Sequence, residues 1–561
     1  MISDFPWQFR LVAKIRTPIL VFIVVPMSFS LWCYRQAKLW FRRLIHGPQI
    51  ASYNGHEERC QQVIDQIKKW NDTGRNKLLR TARPNWASMS TKLSSNKEDC
   101  QLINMSHLNH ILEIDEVNMS ITCEPGVNMG QLTSVLCPRN LALKCQVEME
   151  SITIGGNALG FGIETNSHLV GLFQEIILEY KLVTSTGDVI TATPTKNPEL
   201  FYAIPWSHGT LGFLLSVKVQ LVKITPYVKI TYVPTYSAKE LSTKLTEYTT
   251  KHENDKDAPY TFVEATMYTK EKGVLQLGQF VEAPSSAEEK SRVNGINYFW
   301  KPFYYKWVET FLERGVYWEI VPTKHFYHRF TRSIFWELED MIPFSNHPIY
   351  RVLWGWMGAP EVSLLKLAQG PVIRKASVYA HVVQESIMPL KHVEEGIEKF
   401  DEWYGNYPML VFPIRVYDRG VNSGFLTPNK KHLLPGKNYG IWVDIGAYGV
   451  PRNVRAGKPW DPKVSVRAME HWTRDVGGWQ ALYTDIFCTR KELRQMFNHT
   501  LWDKQRKLLK CEDAFPDVYE KVRPERGIVD LSDVLEAEEK EGKEENLLSK
   551  FVASFASPKK V

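Results

Sequence analysis

The sequence predicts an α+β protein of more than one domain, carrying one apolar segment near its N-terminus. Three observations lead there. Strand patterns alternate with short helix patterns over the first 224 residues. Strands and helices then continue to about residue 527 without an internal repeat. Thr17–Tyr34 is uncharged and mostly apolar. The chain has 561 residues, 44% apolar and 23% charged, which excludes a largely disordered or collagen-like chain. Its net charge is +7, and within the first fifty residues Arg10, Lys14, Arg16, Arg35, Lys38, Arg42 and Arg43 face only Asp4. The remainder is nearly neutral, which argues against a nucleic-acid binder, whose folded domain would need a basic face.

Residues 1–16 form a basic N-terminus. The run TPILVFIVVPMSFSLWCY (17–34) just spans a hydrocarbon core of about 30 Å at about 1.5 Å per residue. Trp32 and Tyr34 suit a membrane interface, and basic residues lie beyond both ends. Pro26 would kink the middle. A cleaved signal peptide lacks its cleavage site here, so an uncleaved transmembrane anchor is the reading, with a helix lying in the interface as the alternative. Four positives after the run against three before it lean toward a cytosolic C-terminal side. Eight cysteines without CxxC pairs or zinc-ligand spacing read as reduced thiols facing the cytosol, with no metal expected. Sequons at Asn71, Asn104, Asn118 and Asn498 are too short a pattern to overturn that.

EERCQQVIDQIKKW (57–70) sets Val63, Ile64, Ile67 and Trp70 on one helical stripe. Arg83-Pro84 favours extended backbone. Met119, Ile121 and Cys123 alternate as in a strand, and a Pro125-Gly126 turn leads to a helix bearing Met129, Leu132, Val135 and Leu136. A glycine-rich loop follows at 155–171. Residues 175–194 read as two strands joined at Ser185-Thr186-Gly187-Asp188. Asn197-Pro198 opens a short helix, and GFLLSVKVQLVKI is a further strand. After about 528 the chain becomes a charged tail, EAEEKEGKEE, followed by the apolar LLSKFVASF.

TIGGNALGFGIETNSHLVG (153–171) holds Gly155, Gly156, Gly160, Gly162 and Gly171. Glycines let the backbone approach a ligand closely, and successive amides make an anion-binding concavity suited to a pyrophosphate. A loop that merely needs tight turns would look the same. Neither the dinucleotide fingerprint GxGxxG with its acidic partner nor GxxxxGK[ST] is present.

The order strand, EPGV turn, helix, glycine-rich loop, TGD hairpin and NPELFYAIPWSHGTLGF (197–213) resembles the PCMH-type, or vanillyl-alcohol-oxidase-type, FAD-binding domain. TARPNWASMS (81–90), GIETNSHLVGLFQ (162–174), ELFYAIPWSHGTLGF (199–213), YHRFTRSIFWELEDMIPF (327–344), WVDIGAYGVPR (442–452) and DAFPDVYEK (513–521) are similar to the Δ24-sterol reductases, the diminuto or seladin group. The resemblance implies a two-subdomain FAD-binding domain over 48–224, a mixed α/β substrate or cap region over 225–527, and a tail at 528–561. It also implies an enzyme anchored in the endoplasmic reticulum membrane with its catalytic domain in the cytosol. Such an enzyme uses NADPH to reduce the Δ24 side-chain double bond of sterols such as desmosterol or lanosterol. The flavin loop carries over as Thr153, Ile154, Gly155, Gly156, Asn157, Ala158, Leu159, Gly160, Phe161, Gly162, Ile163, Glu164 and Thr165. RTARPNW holds no histidine to tether the flavin, so FAD is expected to be non-covalent. Lys181 and His208 depart from the family pattern. No dedicated nicotinamide-binding domain is visible, so NADPH shares the flavin pocket or a partner protein supplies electrons. A flavin oxidase or lyase acting on another lipid, and a non-catalytic sterol-binding protein, are the rival readings.

An isolated trisubstituted alkene has no carbonyl to receive electron density. Its reduction therefore needs a proton on the less substituted carbon together with hydride on the tertiary one, in a dry pocket with aromatic faces that tolerate developing positive charge. Candidate acids are Tyr483 and Asp485 in ALYTDIF, two apart and on one face if the segment is a strand. Ordinary structural hydrogen bonding is the bland alternative for both. Glu337 and Asp340 would share a helix face, with a salt-bridged surface as the alternative. His168 reads as a structural histidine. The aromatic-rich 297–307 segment is either core packing or a sterol entrance at the membrane interface.

Overall fold

A computed structural model describes residues 17–46, 51–88, 90–91, 97, 99–250, 260–358, 366, 371–525, 528–534, 536 and 538. The basic N-terminus 1–16 and the tail beyond residue 538, with the apolar LLSKFVASF piece, lie outside these residues.

Helix begins at Thr17, passes through a π-helical turn at Leu20–Val24, and continues as α1 (Val25–His46). The wide turn stands just before Pro26, where an α-helical ladder would lose a bond and meet the proline ring. The helix runs beyond the expected end at Tyr34 because no breaker follows and the basic segment continues it. Thr17–Lys38 is long and apolar enough to cross a membrane.

The next helix, α2 (His56–Asp72), buries Val63, Ile67 and Trp70 against two short parallel strands, β1 (Leu79–Thr81) and β2 (Gln101–Ile103). Ile64, on the edge of the expected stripe, is half-buried. A six-stranded antiparallel sheet follows. It contains β3 (Ile111–Asp115), β4 (Ser120–Cys123), β5 (Leu141–Leu143), β6 (Ile177–Val183), β7 (Val189–Ala192) and β8 (Phe213–Lys223). Its order is β3-β4-β8-β6-β7, with β5 on the far end of β8. Met119 lies outside β4 with φ 50°, and Ser120–Cys123 are all buried. The alternation expected from Met119 is thus replaced by a short strand covered on both faces. The Pro125-Gly126 turn leads into α3 (Met129–Leu136), whose Asn128 and Gln131 cap each other's backbone N–H groups.

From residue 227 the chain builds an eight-stranded sheet. It comprises β9 (Tyr227–Thr235), β10 (Phe262–Met267), β11 (Gly273–Val281), β12 (Tyr317–Pro322), β13 (Val382–Pro389), β14 (Met409–Tyr417), β15 (Tyr439–Gly449) and β16 (Trp479–Gln480). The order is β12-β9-β11-β10-β14-β15-β13-β16, antiparallel throughout. Side chains alternate strictly. Val263, Val411 and Ile445 meet a layer of helices through Leu245, Ile397, Phe400 and Met469. Phe262, Phe412 and Tyr448 face the other way, into a core shared with the six-stranded sheet. The chain then returns. Trp502 Nε1 donates to Thr210 Oγ1 (2.9 Å), Arg506 Nη1 to Thr210 O (3.0 Å), and Leu79 N to Ala514 O (2.7 Å).

The glycine-rich segment is fastened to the larger sheet. Val263 N donates to Thr165 O (2.8 Å), and Arg415 Nε to His168 O (3.1 Å). Fully buried Arg329 donates through Nη2 to Glu164 (3.1 Å) and Glu264 (2.9 Å). Removing the cation would strand two buried carboxylates, a loss of about 3–5 kcal/mol. Arg329→Leu should therefore lower the urea midpoint sharply. Arg329→Lys should recover only part of the loss, because an ammonium lacks the planar fork.

Candidate active site

Six residues of the glycine-rich segment form a short helix, Ile154–Leu159, which Thr153 caps by accepting from Gly156 N through Oγ1 (3.3 Å). Gly155 is jammed against the turn before α3. A Cβ there would stand 2.6 Å from Pro125 Cβ and 2.8 Å from Pro125 O. The other side of this helix is open at Gly156, which is exposed. Trp206 N donates to Gly160 O (3.0 Å), and His208 N to Leu159 O (2.8 Å). Trp206 and His208 both take positive φ (65° and 51°), so the WSHG turn holds the end of the glycine-rich helix under backbone strain. Phe161 stacks on Trp206 (centroids 4.4 Å, 12°).

Cations gather beside Thr153. Arg83 Nη1 donates to Thr153 Oγ1 (3.0 Å), and Lys97 Nζ to Arg83 O (2.5 Å). Lys366 Nζ donates to the carbonyls of Ser88 and Ser90. Burial, reinforced by Arg80 and Arg83, brings the Lys97 ammonium down to about 8, and burial with Arg374 brings Lys366 to about 7. Buried, mutually repelling cations are what a nearby anion would relieve. With the glycine cradle beside them, they fit the pyrophosphate of a flavin dinucleotide.

Across the segment lies a set of acids. Tyr483 sits 5.9 Å from Phe161 and donates to Tyr448 Oη (3.4 Å), while the Tyr448 hydroxyl donates to Glu385 Oε1. Gly446 lets the Tyr448 ring lie over the strand, since a Cβ there would stand 2.7 Å from the hydroxyl. Glu385 and Asp444 are on the same face of adjacent strands β13 and β15. Burial pushes Glu385 up to about 7, against the hydrogen bonds from the tyrosines. Burial, with Glu385 and Glu148 nearby, holds Asp444 well above the carboxylate range, and Glu148 is raised by burial and by Glu164. Tyr483 is likewise held as a neutral phenol. Phe335 and Trp336 pack on Tyr448 at 5.4 and 5.5 Å. Ile334 and Phe335 both adopt positive φ (51° and 58°), a conformation a β-branched residue rarely accepts.

The expected Tyr483–Asp485 pair is therefore corrected in one respect. The segment is a turn after β16, not a strand, and its two side chains diverge. Asp485 Oδ2 accepts from Arg374 (2.6 Å), which also reaches Glu525 (3.2 Å). Glu337 and Asp340 pair with His381 (3.0 Å) and Arg455 (3.6 Å). His168 is buried between the carbonyls of Thr165 and Tyr260. Lys181 lies on β6 between Thr191 and Ser216. The 297–307 segment divides: Tyr304 and Tyr305 are buried and Trp307 donates to Glu319, while Tyr298 and Trp300 stack together on the surface. Sequence reasoning missed Glu148, Glu385, Asp444 and Tyr448. The available signal was acids and a tyrosine within otherwise apolar strands, VVQESIMP and WVDIGAYG.

A glycine cradle with clustered cations at one end, buried acids at the other and two sheets around them defines a flavin-dinucleotide-binding oxidoreductase fold. Residues 59–193 match the family described as FAD binding domain. The chain is 36% identical over 506 residues to the Delta(24)-sterol reductase of Homo sapiens, covering 89% of this chain and 92% of that protein. It is 35% identical over 514 residues to the Delta(24)-sterol reductase homolog of Caenorhabditis elegans (89% and 93%), and 31% over 538 residues to the Delta(24)-sterol reductase of Pisum sativum (94% and 94%). The chain belongs to the Delta(24)-sterol reductase family.

Two outcomes test the cradle. Gly155→Ala should give folded protein with little bound flavin, read as visible absorbance per chain, because its Cβ drives the cradle away from Pro125. Arg83→Ala should weaken FAD binding about ten- to hundredfold in a titration of stripped protein, the loss of one charge-assisted bond.

Proposed function

We propose that this protein is an NADPH-consuming, FAD-dependent reductase of the Δ24 side-chain double bond of sterols. The flavin is held non-covalently by residues 153–165, clamped between the two parts of a PCMH-type domain at 48–224. The sterol lies on the face of the eight-stranded sheet within 225–527. Family membership supports the substrate class. The observation that carries the chemistry is the buried chain Glu385–Tyr448–Tyr483 ending beside Phe161.

The cradle would hold the flavin, which once reduced by NADPH would supply the hydride for the tertiary alkene carbon. The protein's part is the proton. With Glu385 protonated, the hydroxyl chain reverses: Glu385 donates to Tyr448, Tyr448 to Tyr483, and the Tyr483 O–H is freed to protonate the less substituted carbon. One proton leaves Glu385 per turnover and is replaced from solvent. Phe335, Trp336 and Tyr448 present ring faces toward the developing positive charge. Asp485, paired with Arg374, is a positioning residue: it holds the turn that carries Tyr483.

The apolar helix, the basic residues after it and a membrane-resident substrate support anchorage in the endoplasmic reticulum membrane with the catalytic domain cytosolic, through a single-pass span or, in keeping with the burial of Leu20–Val25 against that domain, a helix lying in the interface. NADPH acts at the same flavin face or through an electron-donating partner, and other sterol-pathway proteins are natural neighbours.

Anaerobic addition of NADPH to detergent-solubilised protein should bleach a flavin spectrum that desmosterol then restores, with saturated sterol by mass spectrometry. Bleaching without restoration would favour the lipid oxidase or lyase reading, and folded protein without flavin the binding protein. The acid has its own signature. Because the Glu385 pKa is raised to about 7, its proton is present below that pH, and the sterol-dependent reoxidation rate should fall as pH rises through it. Glu385→Gln should abolish that limb and slow reoxidation about 10²–10⁴-fold while flavin content stays normal. Tyr483→Phe should slow it similarly and leave reduction by NADPH intact.

A further inference from the structure

The N-terminal apolar helix does not stand clear of the body. Leu20, Val21, Val24 and Val25 are buried in the main core. Thr17 Oγ1 donates to Met341 O (3.0 Å), Phe22 meets the edge of Trp354 (5.9 Å), and Phe29 that of Trp356 (5.2 Å). The opposite side, including Ile23 and Met27, is exposed, and Phe22 at its edge is also largely exposed.

The segment it touches is itself reversed in polarity. The short helix Pro348–Leu353 and the turn after it present Ile349, Val352, Leu353 and Trp356 at i, i+3, i+4 and i+7, the spacing of one helical face. That face looks outward: Ile349 is 63% exposed, Val352 58% and Leu353 54%. His347 caps the helix through Nδ1, and Asn346 Oδ1 accepts from Phe303 N (2.9 Å). Phe344, 49% exposed, extends the patch on the chain before this helix. A soluble surface rarely leaves such a run of large apolar side chains contiguous.

We propose that Phe344, Ile349, Val352, Leu353 and Trp356 join the outward face of the N-terminal helix as one seat that sinks the catalytic body into a lipid leaflet. The occupant is the bilayer, because the patch is continuous with the helix apolar enough to cross one, and tryptophan at its edge is suited to the interface. Buried Leu20–Val25 tie the two together: wherever that part of the helix lies in the membrane, the 344–356 segment is carried alongside. The inference rests on membrane attachment through this helix, in the form in which it lies in the interface, since a full span with its basic end cytosolic would carry Thr17–Val25 away from the body they pack on; it goes beyond attachment, since a tethered enzyme could stand off the bilayer on a linker.

The test uses full-length protein in phosphatidylcholine vesicles, with exposed Cys33 replaced by Ser. An environment-sensitive fluorophore is placed on Ile349→Cys or, separately, on Met27→Cys. Lipids with a doxyl group near the headgroup end of the chain should quench both labels severalfold more than doxyl-free vesicles. Quenching at 27 without quenching at 349 would overturn the seat and leave the anchor standing. Quenching at neither would overturn both. A parallel kinetic reading should agree: Ile349→Glu with Leu353→Glu should raise KM for vesicle-embedded sterol about tenfold or more, leaving flavin content and KM for detergent-dispersed sterol unchanged. An unchanged vesicle KM would count against the seat.

Discussion

The buried guanidinium of Arg329 holds the rest of the arrangement in place. It has no water to turn to, so its charge is balanced only where Glu164 from the glycine-rich segment and Glu264 from β10 both reach it. Desolvating three ionised groups is expensive, and only near-ideal geometry offsets the cost. The consequence is positional. The end of the glycine-rich segment is locked to the eight-stranded sheet by charge, and the backbone bond from Val263 to Thr165 fixes the register of that join. A cradle on one sheet and acids on another thereby become one site.

Charge is partitioned across that site. At the cradle end, Arg83, Lys97 and Lys366 crowd together until burial and mutual repulsion pull the lysines toward neutrality. At the sheet end, burial raises Glu148, Asp444 and Glu385 toward their protonated forms, reinforced for the first two by neighbouring carboxyls. Each end is arranged for what it lacks, an anion on one side and an acceptor for a proton on the other. Reduction of an unactivated alkene needs this polarity. A solvated carboxylate has no proton to give at neutral pH, whereas a desolvated one hydrogen-bonded to tyrosines keeps its proton, and in the proposed reading the tyrosines pass it to the substrate.

Much of this was legible in the sequence because it depends on local order. The helix after Pro125-Gly126, the TGD hairpin and the strand 213–223 are written in turn residues and apolar patterns, while the glycine-rich stretch, expected as a loop, is helical at Ile154–Leu159 because Thr153 caps it. Three things were not. Whether 481–487 is strand or turn depends on β16 ending after two residues, which is decided by the register with β13. The ion pair of Asp485 with Arg374 joins residues more than a hundred positions apart. The acid chain is assembled from β13, β15 and the turn after β16, and although WVDIGAYGVPR on β15 carries the family resemblance, nothing local in it says that Tyr448 meets Glu385 and Tyr483. Its trace was chemical rather than periodic: Glu385, Asp444 and Tyr448 sit where an apolar strand would hold valine or phenylalanine.

A single stretch of chain, 323–356, links the outward apolar patch, the aromatic wall and the Arg329 joint. Arg329 anchors it to the flavin segment, Ile334 and Phe335 bend it through left-handed backbone, Trp336 fastens it to the Tyr448 carbonyl (2.8 Å), and its far end presents the outward apolar helix. Backbone strain of this kind persists only where surrounding contacts over-determine it. Here those contacts are the buried ion pair on one side and the aromatic stack on the other. A sterol leaving the bilayer beside residues 349–356 would meet, along the same segment, the aromatic wall that faces Tyr483. In the proposed reading the substrate's route and the proton's route therefore converge on one ring, Tyr448, which belongs to the wall by its face and to the acid chain by its hydroxyl.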